Sequence, residues 1–240
     1  FRRVLFRSEI GDAEVPGVQK LLISESRAKN TVVITATQMM QSMVTNPQPT
    51  RAEVSDVANA VLDGTDAVML SAESAVGRHP VKVVAALERI CLAAERHRSV
   101  LVSGHRMESR FEAVEETIAM ATMYTANHYN VVGILTLTES GTTAKWMSRI
   151  SSGIPIYGVT RREDTERRMA LYRGVYPIAY DATELPRGDV NRAVVAELQS
   201  RGHVSDGDWL IITKGDFSGI QGGTNSMKIV KVGEIAGERD

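Results

Sequence analysis

From residue 15 to residue 100 the chain alternates between stretches with apolar positions three and four apart and short continuous apolar runs. VPGVQKLLISESRAKN (15–30), TRAEVSDVANAVLDG (50–64) and HPVKVVAALERICLAAERH (79–97) read as helices, while TVVITATQMM (31–40) and DAVMLSAE (66–73) read as strands. Local chemistry agrees. Thr50 and Glu53 are spaced as a capping box, Pro80 suits a first helical turn, and Gly64 suits the position just past a helix end. Strand–helix alternation of this kind predicts parallel strands joined by helical crossovers.

The segment SVLVSGHRMESR (99–110) has no clear period and places a boundary near Ser103. Beyond it the rhythm resumes, with helices over 110–130, 142–151, 162–174 and 189–202 and strands over 131–138, 155–160, 176–181, 208–216 and 227–232. This part reads as a self-contained α/β layer domain with a mostly parallel sheet, helices on both faces and a last strand free to run antiparallel. The front part is different: two strands and their helices cannot bury both faces of a sheet, so it reads as an incomplete piece of something larger.

Composition narrows the classes. A hydrophobic share of 43% and a charged share of 24% over 240 residues describe an ordinary globular chain with room for one large or two medium domains. Twenty-eight basic against 29 acidic residues give a formal charge of -1, so no broad field points to nucleic acid or an anionic membrane, and any anion site must be local. The single cysteine, Cys91, lies in the apolar pattern ALERICLAAE and reads as a small core residue, which suits a reducing cytoplasm. No apolar run approaches the ~20 residues that span a bilayer. The five histidines show no metal-ligand spacing.

In parallel α/β folds functional groups collect past the carboxyl ends of strands. That places Thr37 at the end of VVITATQ, and Ser71 and Glu73 at the end of VMLSAE. Hydroxyls and a carboxylate there serve either to position an oxyanion and relay a proton or merely to satisfy loose backbone groups and cap the next helix. Spacing leaves both readings open. In the second part TESGTT (138–143), between a strand and a helix, offers successive N–H groups, small hydroxyls and a glycine, the makings of a phosphate cradle or of a plain helix cap.

The wording of the chain goes further. ITATQMMQSM followed by NPQPTRAEVSDVANAVLDGTDAVMLSAE closely resembles the corresponding segment of pyruvate kinases, and the likeness continues through EETIAMATMYTANH, LTESGTTAKWMSRISSGIPIYGVTR, LYRGVYPI and GTNSMKIVKV, covering the chain from about Glu9 onward. It looks most like bacterial forms that respond to AMP or a sugar monophosphate. The resemblance implies that residues 9–102 are the C-terminal part of a (β/α)8 catalytic barrel, its last two strands and their helices, and that 103–240 are the C-terminal α/β regulatory domain. It implies phosphoryl transfer from phosphoenolpyruvate to ADP with Mg2+ (or Mn2+) and K+, in a cytoplasmic homotetramer.

Carried over residue by residue, Thr37 resembles the threonine that places phosphoenolpyruvate and takes part in protonating the enolate, and Ser71 and Glu73 resemble members of the hydroxyl and water network feeding that proton. Arg51 resembles an arginine that reaches across a subunit interface to brace the neighbouring site. For the effector phosphate the resemblance assigns Thr138, Glu139, Ser140, Gly141, Thr142 and Thr143, with Lys214 and Gly215 as the opposite wall. Glu139 would repel phosphate if turned inward, which favours a monophosphate effector or a weak response. Trp146, Met147 and the methionines of IAMATMY are expected in the core.

The family's phosphoryl-site lysine and its two metal-binding acids belong to strands that would precede residue 9, the aspartate within an ARGD motif, where this chain reads FRRVLFRS. Residues 1–8 are therefore expected to be a foreign or chimeric start, Asp12 is not promoted to metal ligand, and no metal site, bound cofactor or turnover is expected of this polypeptide alone. Two other readings stand beside this one: a stand-alone phosphate-effector module without catalysis, which has no use for ITATQMM and VMLSAE, and an unrelated doubly wound protein, which would scatter its mismatches.

Overall fold

The computed structural model describes residues 11, 13–36, 38–97, 110–216 and 222–234. The chain separates into two compact units, Phe1–Val102 and Ser103–Asp240. The expected foreign start at 1–8, Asp12, Thr37 and most of the segment 99–110 lie outside the described residues.

The first unit runs α1 (Val15–Ala28), β1 (Ile34–Ala36), a turn of 3₁₀ helix (Gln41–Val44), α2 (Arg51–Asp63), β2 (Ala67–Met69), α3 (Ala72–Ala75) and α4 (Pro80–Glu95). β1 and β2 pair in parallel, Thr35 opposite Val68. α2 begins at the expected capping box, with both Thr50 and Glu53 bonds made, and ends at Gly64, whose φ of 95° is a left-handed conformation that favours glycine. Both strands are shorter than their apolar runs predict. After Ala36 the chain turns, and Met39, Met40 and Met43 enter a core with Val57 and Ala60 of α2 and Val83, Ala86 and Ile90 of α4. After Met69 the backbone bends into α3, so Ser71 heads a short helix and Glu73 sits inside it rather than at a strand end. Cys91 packs against the same core.

The second unit runs α5 (Val114–His128), β3 (Gly133–Leu137), α6 (Thr142–Ser148), β4 (Ile156–Thr160), α7 (Glu163–Met169), β5 (Val175–Ala179), α8 (Arg187–Ser200), β6 (Trp209–Gly215) and β7 (Thr224–Lys231). The sheet order is β5-β4-β3-β6-β7. The first four strands are mutually parallel and β7 runs antiparallel to β6, as the pattern allows. Period-two alternation sorts the faces. Leu135, Tyr157, Val159, Ile178, Leu210 and Ile212 meet Val194, Val195 and Leu198 of α8 on one face. On the other, a Cβ added to Gly158 would strike Met169 of α7; Met123 and Met147 are fully buried as expected, Met120 nearly so, while Trp146 is only half-buried. α6 is shorter than predicted, its last turn closing through Arg149 N–H to the Trp146 carbonyl.

Among the described residues no helix is long and apolar enough to cross a membrane.

Leu198 is fully buried at the centre of the α8 face. Leu198→Ala should cost about 2–5 kcal/mol through lost transfer energy and a residual cavity. Both tryptophans, Trp146 and Trp209, lie in this unit, so urea unfolding followed by tryptophan fluorescence reads the loss directly; an unchanged midpoint would place Leu198 outside the core.

Candidate functional site

The first unit gathers polar groups just past β1 and β2. Glu73 is fully buried, and its two carboxylate oxygens accept hydrogen bonds from the backbone N–H of Met40 (3.1 Å) and of Ser71 (2.7 Å). One side chain thus ties the segment after β1 to the segment after β2. Ser71 itself is exposed, and Thr37, one residue past β1, lies outside the described residues. Arg51 is the exposed first residue of α2.

Glu53 performs a second tie. Its carboxylate accepts from Ser42 N–H (2.6 Å) and hydroxyl (2.5 Å) and from Thr50 N–H (2.8 Å) and hydroxyl (3.0 Å), so both ends of the 42–50 connection are held to α2. Burial pushes the Glu53 carboxyl up, and the Ser42 and Thr50 hydrogen bonds together outweigh it, leaving the group below its ordinary value of 4.5.

The second unit holds a cleft of about 220 Å³ at the carboxyl edge of its sheet. The chain places β4 and then β5 on one side of β3, and crosses to the other side to place β6. At such a reversal the loops after the two central strands part and leave a crevice. Thr138–Ser140 and Thr142 line it from the end of β3, Thr160 and Arg161 from β4, Tyr180–Thr183 from β5, and Lys214–Asp216 from β6. Gly222–Thr224 arrive at the start of β7, with Arg187 of α8 and Glu115 of α5 completing the wall.

Of the eight residues expected at a phosphate, all except Gly141 line this cleft. Gly141 shapes it instead: at φ 76° its N–H donates to the Thr138 hydroxyl (2.9 Å). The hydroxyls of Ser140 and Thr142 lie 2.8 Å apart. Thr143 turns inward, its hydroxyl 2.8 Å from that of Thr224. The carboxylate of Glu139 bonds to Arg161 Nε at 3.2 Å, so it enters the cleft already paired. Sequence reasoning missed Arg161, Asp181, Thr183 and Arg187, although the strand-end rule that found Thr37 applies equally to PIYGVT and YPIAYD.

Among the described residues no three His, Cys, Asp or Glu side chains converge in a way that would hold a metal ion.

Two family models match the chain: the pyruvate kinase barrel domain over residues 6–84 and the pyruvate kinase alpha/beta domain over residues 116–230. Pyruvate kinase II of Salmonella typhimurium is 53% identical over 225 residues, covering 93% of this chain and 47% of the relative. A pyruvate kinase of Haemophilus influenzae is 54% identical over 208 residues (86% and 43%), and one of Geobacillus stearothermophilus is 40% identical over 230 (95% and 39%). The chain thus spans about half the length, or somewhat less, of the curated relatives it matches.

Two outcomes follow from this geometry. Because the folded Glu53 carboxyl titrates below the unfolded one, its stabilisation is complete above the unfolded value of 4.5 and is lost as pH falls through the lower folded value. Protection of the Ser42 and Thr50 amides, taken relative to their intrinsic exchange rates, should fall over that window in the wild type, and Glu53→Gln should show weaker protection at pH 7 without the step. An alanine at Gly141 combines a left-handed φ with a Cβ 3.0 Å from Met169, whereas Gly174, at φ 69°, has open space. Gly141→Ala should therefore cost more than the roughly 1–2 kcal/mol of conformational strain expected for Gly174→Ala, as compared by urea midpoints.

Proposed function

The chain belongs to the pyruvate kinase family, and on that premise we propose that the whole protein transfers a phosphoryl group from phosphoenolpyruvate to ADP, yielding pyruvate and ATP as a step of glycolysis in the cytoplasm. The observation that supports this reading is the joining by Glu73 of the segments that follow β1 and β2, to which Thr37 and Ser71 belong in sequence. Thr37 would hold the enolate carbon's side of phosphoenolpyruvate and take part in its protonation. Ser71, exposed, would hand on the proton. Glu73, with each oxygen accepting from one backbone donor, would position those two segments and keep further acceptor capacity for the network that feeds the proton. Arg51, exposed at the first turn of α2, would brace a neighbouring subunit of a homotetramer.

Phosphoryl transfer depends on charge neutralisation and alignment. The family implies Mg2+ or Mn2+ together with K+ for that purpose. The described residues supply no ligand set for them, and no step is derived through a cation. The chain spans 47% of the length of the Salmonella relative, and this polypeptide by itself is proposed to be inactive.

The cleft of the second unit is proposed to take the phosphate of an activating ligand, AMP or a sugar monophosphate, on the Thr138, Ser140 and Thr142 hydroxyls, with Lys214 and Gly215 opposite. Every residue of that cleft lies between 115 and 224, which also favours a second reading, ligand binding independent of catalysis.

A pyruvate-release assay with phosphoenolpyruvate, ADP, Mg2+ and K+ separates these outcomes. The 240-residue chain should stay at background, and a chain extended with the preceding half of a relative should turn over, losing most of its rate on Thr37→Ala. Turnover by the chain alone would refute this account of where the catalytic groups lie.

A further inference from the structure

The contact between Glu139 and Arg161 carries a consequence for how the cleft admits a ligand. Arg161 follows β4 directly, and it reaches Glu139, past β3, by one hydrogen bond through Nε. The arginine side chain is 42% exposed and the glutamate 15%. No hydrogen bond from the terminal amino groups of Arg161 occurs among the described residues. Past β5, Asp181 is anchored by Thr183 N–H (2.9 Å) and hydroxyl (2.6 Å). Its carboxyl lies below its ordinary value, because of the Thr183 hydroxyl first and the amide next, with the positive charge of Arg161 adding to them. Arg161 thus stands among the ends of β3, β4 and β5.

We propose that Arg161 is the anion clamp of this cleft, and that Glu139 is its resident counter-ion, displaced when a phosphate monoester binds. The inference rests on the reading of the cleft as a phosphate site. A phosphate monoester brings a charge of roughly −1.5 to −2 and three acceptor oxygens, and a guanidinium can meet it with two parallel N–H bonds. A partly exposed carboxylate held through one nitrogen is the weaker partner. Release of the Glu139 side chain leaves its loop in place, because the Glu139 carbonyl still accepts from the Thr165 hydroxyl at 2.8 Å. Glu139 therefore sets the affinity threshold by competing for the cation, instead of shaping the cradle.

The test is calorimetric titration of the full chain with AMP, ribose 5-phosphate and inorganic phosphate, with adenosine as uncharged control. Glu139→Gln should bind AMP about threefold tighter and leave adenosine unchanged. Arg161→Gln should bind AMP at least about tenfold more weakly. In the wild type the Arg161 Nε–H resonance should move on addition of AMP. If the wild type binds AMP but Glu139→Gln gives no gain, or Arg161→Gln no loss, the clamp is overturned and the phosphate reading of the cleft survives. If the wild type binds none of the three phosphates, both fall.

Discussion

A parallel strand pair obliges the chain to cross back over the sheet before the next strand can be added, so every loop that follows a strand emerges on the same edge. Both units of this chain are organised by that constraint. In the first, the segments after β1 and β2 emerge together, close enough for Glu73 to bond to both. In the second, four parallel strands deliver four loops to one edge, and the reversal of order at β3 and β6 opens them into a cleft. β7 is antiparallel, so its starting residues and not its end reach that edge.

Loops brought together in this way still have to be held, and the acids at the two edges do so with different strength. Glu73 is buried and bonded to two backbone N–H groups; Glu53 accepts from two amides and two hydroxyls. Moving either carboxylate would break several charge-assisted bonds and strand backbone donors, each loss costing about 1–3 kcal/mol. Glu139 makes a single side-chain hydrogen bond, to a cation that is itself half in solvent. The first two acids are fixtures. The third hangs on one hydrogen bond, so an incoming anion would have less to displace there than at either of the others, and the loop that carries it keeps its own anchor to Thr165.

Much of this was legible in the chain. The capping box at Thr50 and Glu53, the left-handed Gly64 and the strand–helix rhythm come from local physics, and local physics was enough for them. The strands TVVITATQMM and DAVMLSAE were read too long because an apolar run looks the same whether it continues a ladder or turns inward: Gln38 takes a φ of 55°, and the methionines after it pack between helices. Lys214 and Gly215 came from the family resemblance, whereas TESGTT announced itself through a glycine set among small hydroxyls. Arg161, Asp181 and Arg187 did not, since each looks like an ordinary solvated charge until the order β5-β4-β3-β6-β7 sets the ends of β4 and β5 beside that of β3. Strand order is a non-local property. The roles proposed for Thr37, Ser71 and Glu73 came from resemblance to a family, because spacing alone allowed plain capping just as well.

In the first unit, apolar burial and two carboxylates together hold the connection after β1 in place. Met39, Met40 and Met43 belong to the connection that follows β1, and all three are fully buried. That connection is therefore itself a wall of the core, pressed onto α2 and α4 by apolar burial. Glu73 then fixes its height through the Met40 amide, and Glu53 fixes its far end through Ser42. Methionine adapts to irregular gaps, so burial alone would leave the segment room to slide. Direction comes from the carboxylates. Weakening the α2–α4 packing would accordingly disturb the site and the stability of the unit in a single event, while removing one carboxylate would disturb the geometry first.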